Sequence, residues 1–202
     1  MGRIFIAVLL IISSNVIAQN FNGYIFYKYT YLDSAGQDIT KSKTQEKGYS
    51  LEQHYFINDS NYLALDENGI LIQLYNSYDN NYYFSMDGKV SSVNANIEFP
   101  PSPKIESNKE KVNVLNYRCK SRIFITELTK TTYFYSKKIA IDPKNFENHR
   151  FGNWSKYLSV SKGALPLRIV SAYEDYIQIL EAVKVEEKEV PDEKFDISTY
   201  LE

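Results

Sequence analysis

The sequence predicts a mainly β protein: antiparallel strands throughout, with one short helical or irregular stretch in its C-terminal third. Eighteen tyrosines and eleven phenylalanines stand among 202 residues. They fall mostly in short runs whose side chains alternate between two faces, and aromatic residues favour a pleated, half-buried surface. Asp66-Glu67-Asn68-Gly69 and Met86-Asp87-Gly88-Lys89 each separate two such runs, and Asn-Gly or Asp-Gly in that position is a hairpin signal. Connections this short make neighbouring strands antiparallel. Nothing recurs at a fixed period, which argues against a solenoid or propeller.

Gly23–Leu32 reads as a strong strand. One face carries Ile25, Tyr27, Tyr29 and Tyr31, the other Tyr24, Phe26, Lys28 and Thr30, so both faces are at least partly apolar. Residues 33–38 are a turn-rich break. Residues 47–58 read as the next strand, with Tyr49, Leu51, Gln53, Tyr55 and Ile57 sharing a face. Residues 61–65 and 70–75, then 82–85 and 90–93, form two hairpin pairs. Phe99-Pro100-Pro101-Ser102-Pro103 cannot lie in a central strand. Residues 95–110 therefore read as a long loop between two halves of one sheet. Residues 112–125 and 131–136 resume the strands around a turn at 127–130.

The period then changes. Asp142-Pro143 has the form of an N-cap followed by proline at the first helical position. Phe146, Phe151, Trp154, Tyr157 and Leu158 follow at roughly helical spacing, but Asn145, Asn148, Gly152 and Asn153 are poor helix formers. A short, weak helix or irregular arm is expected. Gly163-Ala164-Leu165-Pro166 restarts the strands, and residues 167–173 and 176–187 complete them. The last strand alternates on Ile177, Ile179, Glu181, Val183 and Val185.

The first residues address the compartment. Met1-Gly2-Arg3, an apolar run over residues 4–12, polar Ser13-Ser14-Asn15 and then Val16-Ile17-Ala18 have the three-part layout of a secretory signal peptide cut before Gln19. The run is shorter than the ~20 apolar residues that cross a bilayer. The expected organisation is a leader at 1–18 and one β-rich domain at 19–202, periplasmic or extracellular, with no transmembrane segment in the mature chain. Loss of Arg3 leaves 22 basic against 25 acidic residues, a net −3. That balance lacks the basic stripe of a nucleic-acid binder. The acidic stretch over 181–193 reads as a solvated face. One cysteine, Cys119, cannot form an internal disulfide, and its alternating neighbours place it in a buried strand position.

Chemistry is sparse. His54 and His149 fall in different elements, with no carboxylate or cysteine at metal-ligand spacing. There is no Gly-x-Ser-x-Gly, phosphate-cradling loop or His-Glu-x-x-His. No cofactor and no catalytic residue is assigned, and the reading is non-enzymatic. Asn58-Asp59-Ser60 and Asn153-Trp154-Ser155 match the glycosylation pattern.

Tyr117-Arg118-Cys119-Lys120, Tyr133-Phe134-Tyr135-Ser136, Gly163-Ala164-Leu165-Pro166-Leu167-Arg168-Ile169 and Val190-Pro191-Asp192-Glu193-Lys194-Phe195-Asp196-Ile197 come in that order. The chain thereby resembles an uncharacterised family of exported envelope proteins with a fold like the LolA and LppX lipoprotein carriers. It is also similar to the GLPGLI-type group, from whose Gly-Leu-Pro-Gly-Leu strand it departs at Ala164 and Leu167. The resemblance implies a strongly curved antiparallel sheet, an unclosed half-barrel with helical or irregular segments on its concave side. It implies a periplasmic binding or carrier protein with a lipid, acyl chain or other apolar ligand in that concavity. Tyr27, Tyr29, Tyr31 and Tyr55 are the expected lining residues, with Trp154 in the covering arm. The alternative is an envelope structural or interaction module whose exposed aromatic residues contact another protein.

Overall fold

The computed structural model describes residues 20–86 and 88–201; the leader expected at 1–18 lies outside the described residues. In chain order the strands are β1 Gly23–Leu32, β2 Glu52–Ile57, β3 Tyr62–Leu65, β4 Leu71–Asn76, β5 Asn81–Met86, β6 Lys89–Asn94, β7 Lys104–Val114, β8 Tyr117–Ile125, β9 Lys130–Ala140, β10 Ala164–Ala172 and β11 Ile177–Glu187. They form one eleven-stranded antiparallel sheet ordered β6-β5-β4-β3-β2-β1-β11-β10-β9-β8-β7. The chain therefore starts at the centre, meanders to one edge, crosses to the other and meanders back. β1 is flanked by β2 and by β11; on the face opposite Tyr27, its Tyr24 and Phe26 pack against Phe56 and His54 of β2.

The strongly curved half-barrel is corrected here. The sheet is open, with β6 and β7 as its two edges, and it is neither strongly curled nor closed. A half-barrel must curl to shelter its apolar concave face. Here each face has a cover of its own, and the segments are not confined to one side. Tyr62 and Ala64 belong to a large core with Tyr27, Tyr55, Phe146, Tyr157 and Leu158. Leu63, between them, belongs to a second cluster with Leu71, Leu74, Val190 and Phe195. Because neighbouring strand residues point to opposite faces, the arm at 142–163 covers one face and the C-terminal tail the other. The Pro191-to-Ile197 motif thus serves to seal a face: Asn22 Oδ1 accepts from Val190 N at 3.0 Å, and Asn58 Nδ2 donates to Asp192 Oδ1 at 2.7 Å.

Four local expectations are revised. A polar helix, α1 Thr40–Lys47, buries no residue and gives no apolar period to read. It is tied down by Thr40, whose Oγ1 accepts from Tyr31 N at 3.0 Å, and β2 starts only at Glu52. The loop over 95–110 ends at Pro103, since β7 begins at Lys104; the lysines and two glutamates of β7 suit an exposed edge, where charge discourages further pairing. Residues 112–125 are two strands, with a turn through Leu115 at φ 51°. In β11 a bulge opposite Phe26 and Tyr27 leaves Val183 without a partner. The extra residue resets the alternation: Ala182 is buried, Val183 is exposed and Val185 packs on the core again.

Cys119 is buried as expected, and burial raises its thiol pKa. Glu187, Glu189, Asp192 and Glu193 are solvent-facing. Asn58 and Asn153, in the two glycosylation patterns, are both buried. No helix among the described residues is long and apolar enough to cross a membrane.

The arm leaves the sheet after β9 and returns through Gly163. That residue sits at φ 79°, and its carbonyl accepts from Ile141 N at 3.0 Å. A Cβ there would stand 2.0 Å from the Ile141 carbonyl oxygen, whereas Gly36, at φ 81°, has open space around it. Gly36→Ala should cost about 1–2 kcal/mol, from left-handed backbone alone. Gly163→Ala should cost clearly more, because the backbone must also move. Urea unfolding of the two variants checks this; equal losses would show that the close approach is not a constraint.

Candidate functional site

The arm is assembled from short pieces. Asp142 caps the first, its Oδ1 accepting from Lys144 N at 3.0 Å ahead of a 3-10 turn over Pro143–Phe146. A second 3-10 turn, Phe151–Asn153, contains Gly152 at φ 66° and leads into helix α2, Trp154–Ser161, which buries Tyr157, Leu158 and Ser161. The loop between β6 and β7 holds this arm in place. The Ala95 carbonyl accepts from Arg150 N and Phe151 N at 2.7 and 2.9 Å, and the Phe99 carbonyl from Gly152 N at 2.8 Å. The proline-rich segment is therefore a strap over the arm, outside any strand as its sequence demands.

Between arm and sheet lies a cavity of about 190 Å³. Tyr27, Tyr55, Tyr62 and Tyr82 from β1, β2, β3 and β5 line it, together with Gln53 and Gln73. Tyr133, Pro166, Ile169 and Leu180 close its other side, and Phe151, Gly152 and Trp154 cover it. None of these side chains is charged. Tyr27 Oη donates to the Pro166 carbonyl at 2.7 Å, across the junction of the two halves. Tyr29 Oη donates to Gln53 Oε1 at 2.7 Å and Tyr82 Oη to Gln73 Oε1 at 2.8 Å. Two lining groups lack such partners: Tyr55 Oη and Trp154 Nε1 are buried with no hydrogen bond among the described residues. Burial holds the Tyr27, Tyr55, Tyr62 and Tyr82 phenols above their ordinary pKa, so all remain protonated at neutral pH.

Of the residues singled out by sequence, Tyr27, Tyr55 and Trp154 come together around this cavity. Tyr29 stands behind Gln53 as its hydrogen-bond donor. Tyr31 is at the end of β1, packed between Tyr49 and Tyr176 with ring centroids 5.4 and 6.2 Å away. Sequence reading missed the two glutamines. Gln53 had a legible signal: it is a polar residue on the face shared by Tyr55 and Ile57, and it is buried. Gln73 and Tyr82 had none, because only the meander brings β4 and β5 to the same wall.

His149 is buried beside this wall. Its ring stacks on Tyr75 with centroids 4.3 Å apart, and Tyr62 Oη lies 2.6 Å from Nε2. Nδ1 has no partner among the described residues. Burial lowers its pKa to about 3. No group of three metal-ligating residues occurs among the described residues.

The sequence matches no family model and no curated protein. Solved structures give distant likenesses. PNGF-II in its P21 crystal form aligns with TM-score 0.48 and 12% identity, over 86% of this chain and 30% of that one. Its C2 form gives 0.46 and 15%, over 87% and 32%. This chain thus spans about a third of PNGF-II. A LolA superfamily protein, NE2245 from Nitrosomonas europaea, aligns with TM-score 0.37 and 7% identity, over 89% of this chain and 92% of that one. The LolA likeness is therefore one of distant fold, and at these scores no ligand or activity carries over.

Two outcomes are expected. Tyr27→Phe leaves the Pro166 carbonyl without its donor and should cost about 1–2 kcal/mol. Tyr55→Phe, which removes a hydroxyl without a partner, should be neutral or stabilising. Chemical denaturation of both variants checks the contrast, and equal losses would contradict it. For His149 the folded pKa lies below the usual value near 6.5. The unfolded chain therefore binds the proton first, and stability is fully present above about pH 6.5 and falls as pH drops toward 3. The loss should be about 2 kcal/mol between pH 7 and pH 5, and His149→Phe should flatten that slope in urea midpoints.

Proposed function

We propose that the chain is a non-enzymatic binding or carrier protein of the cell envelope. Residues 1–18 act as its export leader, and 19–202 as a single β-rich domain holding a ligand between sheet and arm. One observation supports this above the others: beside an uncharged aromatic cavity, two of the lining residues carry buried polar atoms with no partner among the described residues. Buried polar groups are nearly always hydrogen-bonded, so such atoms beside a cavity favour a bound guest. Kinship with the GLPGLI-type envelope proteins, suggested by the Gly163-to-Leu167 stretch, belongs to the same proposal.

Size limits the guest. Pockets for drug-sized ligands run from about 300 Å³ upward, whereas a cavity near 150 Å³ accepts benzene. At about 190 Å³, the space admits one ring or the end of an acyl chain, not a whole phospholipid. In the lipid form of this proposal, the tail end sits among Tyr27, Tyr55 and Trp154 while the rest of the molecule stays outside.

Purification of the natively expressed protein from its envelope fraction, followed by native mass spectrometry before and after solvent extraction, tests this reading. A mass excess that leaves with the solvent is the expected result. A bare chain mass on both sides of the extraction would remove it.

The interaction-module alternative draws on a different place. Exposed Phe99 and Leu128 border a groove of about 420 Å³ with Pro100 and Pro101. In that reading Leu128→Asp would abolish association with an envelope protein while leaving the cavity and its mass excess untouched. Crosslinking of the two forms in whole cells separates the readings.

A further inference from the structure

The cavity's polar groups define what kind of guest it selects, an inference that rests on the binding reading above. The Gln53 and Gln73 amide oxygens already accept hydrogen bonds from Tyr29 and Tyr82, which leaves their NH2 ends as the free polar parts of those side chains. Trp154 Nε1 is a donor only, and Tyr55 Oη carries a hydroxyl proton. Both are buried without a partner among the described residues, and Tyr55 is only 5% exposed. The wall is thus rich in hydrogen donors and contains neither a cation nor a carboxylate.

Three kinds of guest meet this wall differently. A pure hydrocarbon satisfies the aromatic faces but leaves the donors desolvated and unpaired, which is costly. An anion satisfies the donors, but it must give up water where no positive side chain lines the wall. A neutral molecule with oxygen acceptors satisfies both demands.

We infer that the cavity takes an uncharged ligand, no larger there than a single ring or a short chain end, that brings oxygen acceptors to Tyr55 Oη and Trp154 Nε1. Two sources supply this chemistry. One is the carbonyl of an amide- or ester-linked acyl chain. The other is a monosaccharide, whose apolar face stacks on tyrosine or tryptophan while its oxygens accept.

Trp154 is the single tryptophan of the chain, so its emission reports directly on the cavity. Delipidated protein would be titrated with octanamide, methyl N-acetylglucosaminide, toluene and octanoate. Saturable change with octanamide or the glycoside is expected, at least tenfold tighter than with toluene or octanoate. Preference for octanamide identifies the acyl source and preference for the glycoside the sugar source. Tyr55→Phe should weaken the preferred neutral ligand about tenfold and leave toluene unchanged. Trp154→Phe, followed by calorimetry, should show a similar selective loss and guards against a folding artefact in the first variant. Equal affinity for toluene or octanoate, or insensitivity of the neutral ligand to both substitutions, overturns the inference while leaving a binding cavity in place. Failure of all four probes overturns it too; with an extractable native mass the binding reading survives, and with a bare native mass it falls as well.

Discussion

The pairing of β1 with β11 is the constraint on which the rest of the molecule depends. Every other strand pair joins neighbours along the chain, whereas this one brings residues 23–32 against residues 177–187. Its entropy of closure is large compared with that of a hairpin, and it is made last in any order of assembly that starts from local contacts. Close approach is built in: a Cβ at position 23 would stand 2.2 Å from the Glu186 carbonyl oxygen. Without this seam two open half-sheets would each expose a bare central edge. With it, Tyr27 on one half reaches the Pro166 carbonyl on the other, and a cavity wall exists that neither half could form.

The two covers follow from that seam. An eleven-stranded sheet has two faces to shield, and the chain uses an internal arm for one and its own tail for the other. The covers differ in kind. The tail packs Val190 and Phe195 against Leu63, Leu71 and Leu74 in a buried apolar cluster. The arm meets a face on which Gln53 and Gln73 interrupt the apolar surface, and Phe151, Gly152 and Trp154 stand across the cavity from them. A covered but incompletely filled space results, strapped down by the loop that connects the two sheet edges.

Tyrosine dominates this face for a physical reason. Each ring supplies apolar area at modest entropic cost, while its hydroxyl must find a partner when buried. Tyr27, Tyr29 and Tyr82 find theirs in a carbonyl and two amides, locking strands together across the sheet. Tyr55 does not. The same residue type thus serves as structural cross-link at several positions and as an open donor at one, a difference fixed by what stands opposite.

The sequence by itself determined the class of the fold and most of its strands, because alternation, Asn-Gly and Asp-Gly turns and prolines act over a few residues. It determined the capped, irregular arm and the burial of Cys119 in the same way. It also placed Tyr27, Tyr55 and Trp154 as residues to watch, though Tyr29 and Tyr31 lie outside the cavity lining. α1 was illegible because it buries nothing, and the phase of β11 was illegible because a single bulged residue, Val183, shifts it. Only the tertiary structure decided that the sheet stays open rather than curling, since that depends on a tail and an arm reaching opposite faces. Only it decided which polar groups share the cavity: Gln73, Tyr82 and Pro166 are brought to Tyr27 by the meander and the seam. Local pattern sets what each segment is, and long-range pairing sets what each side chain faces.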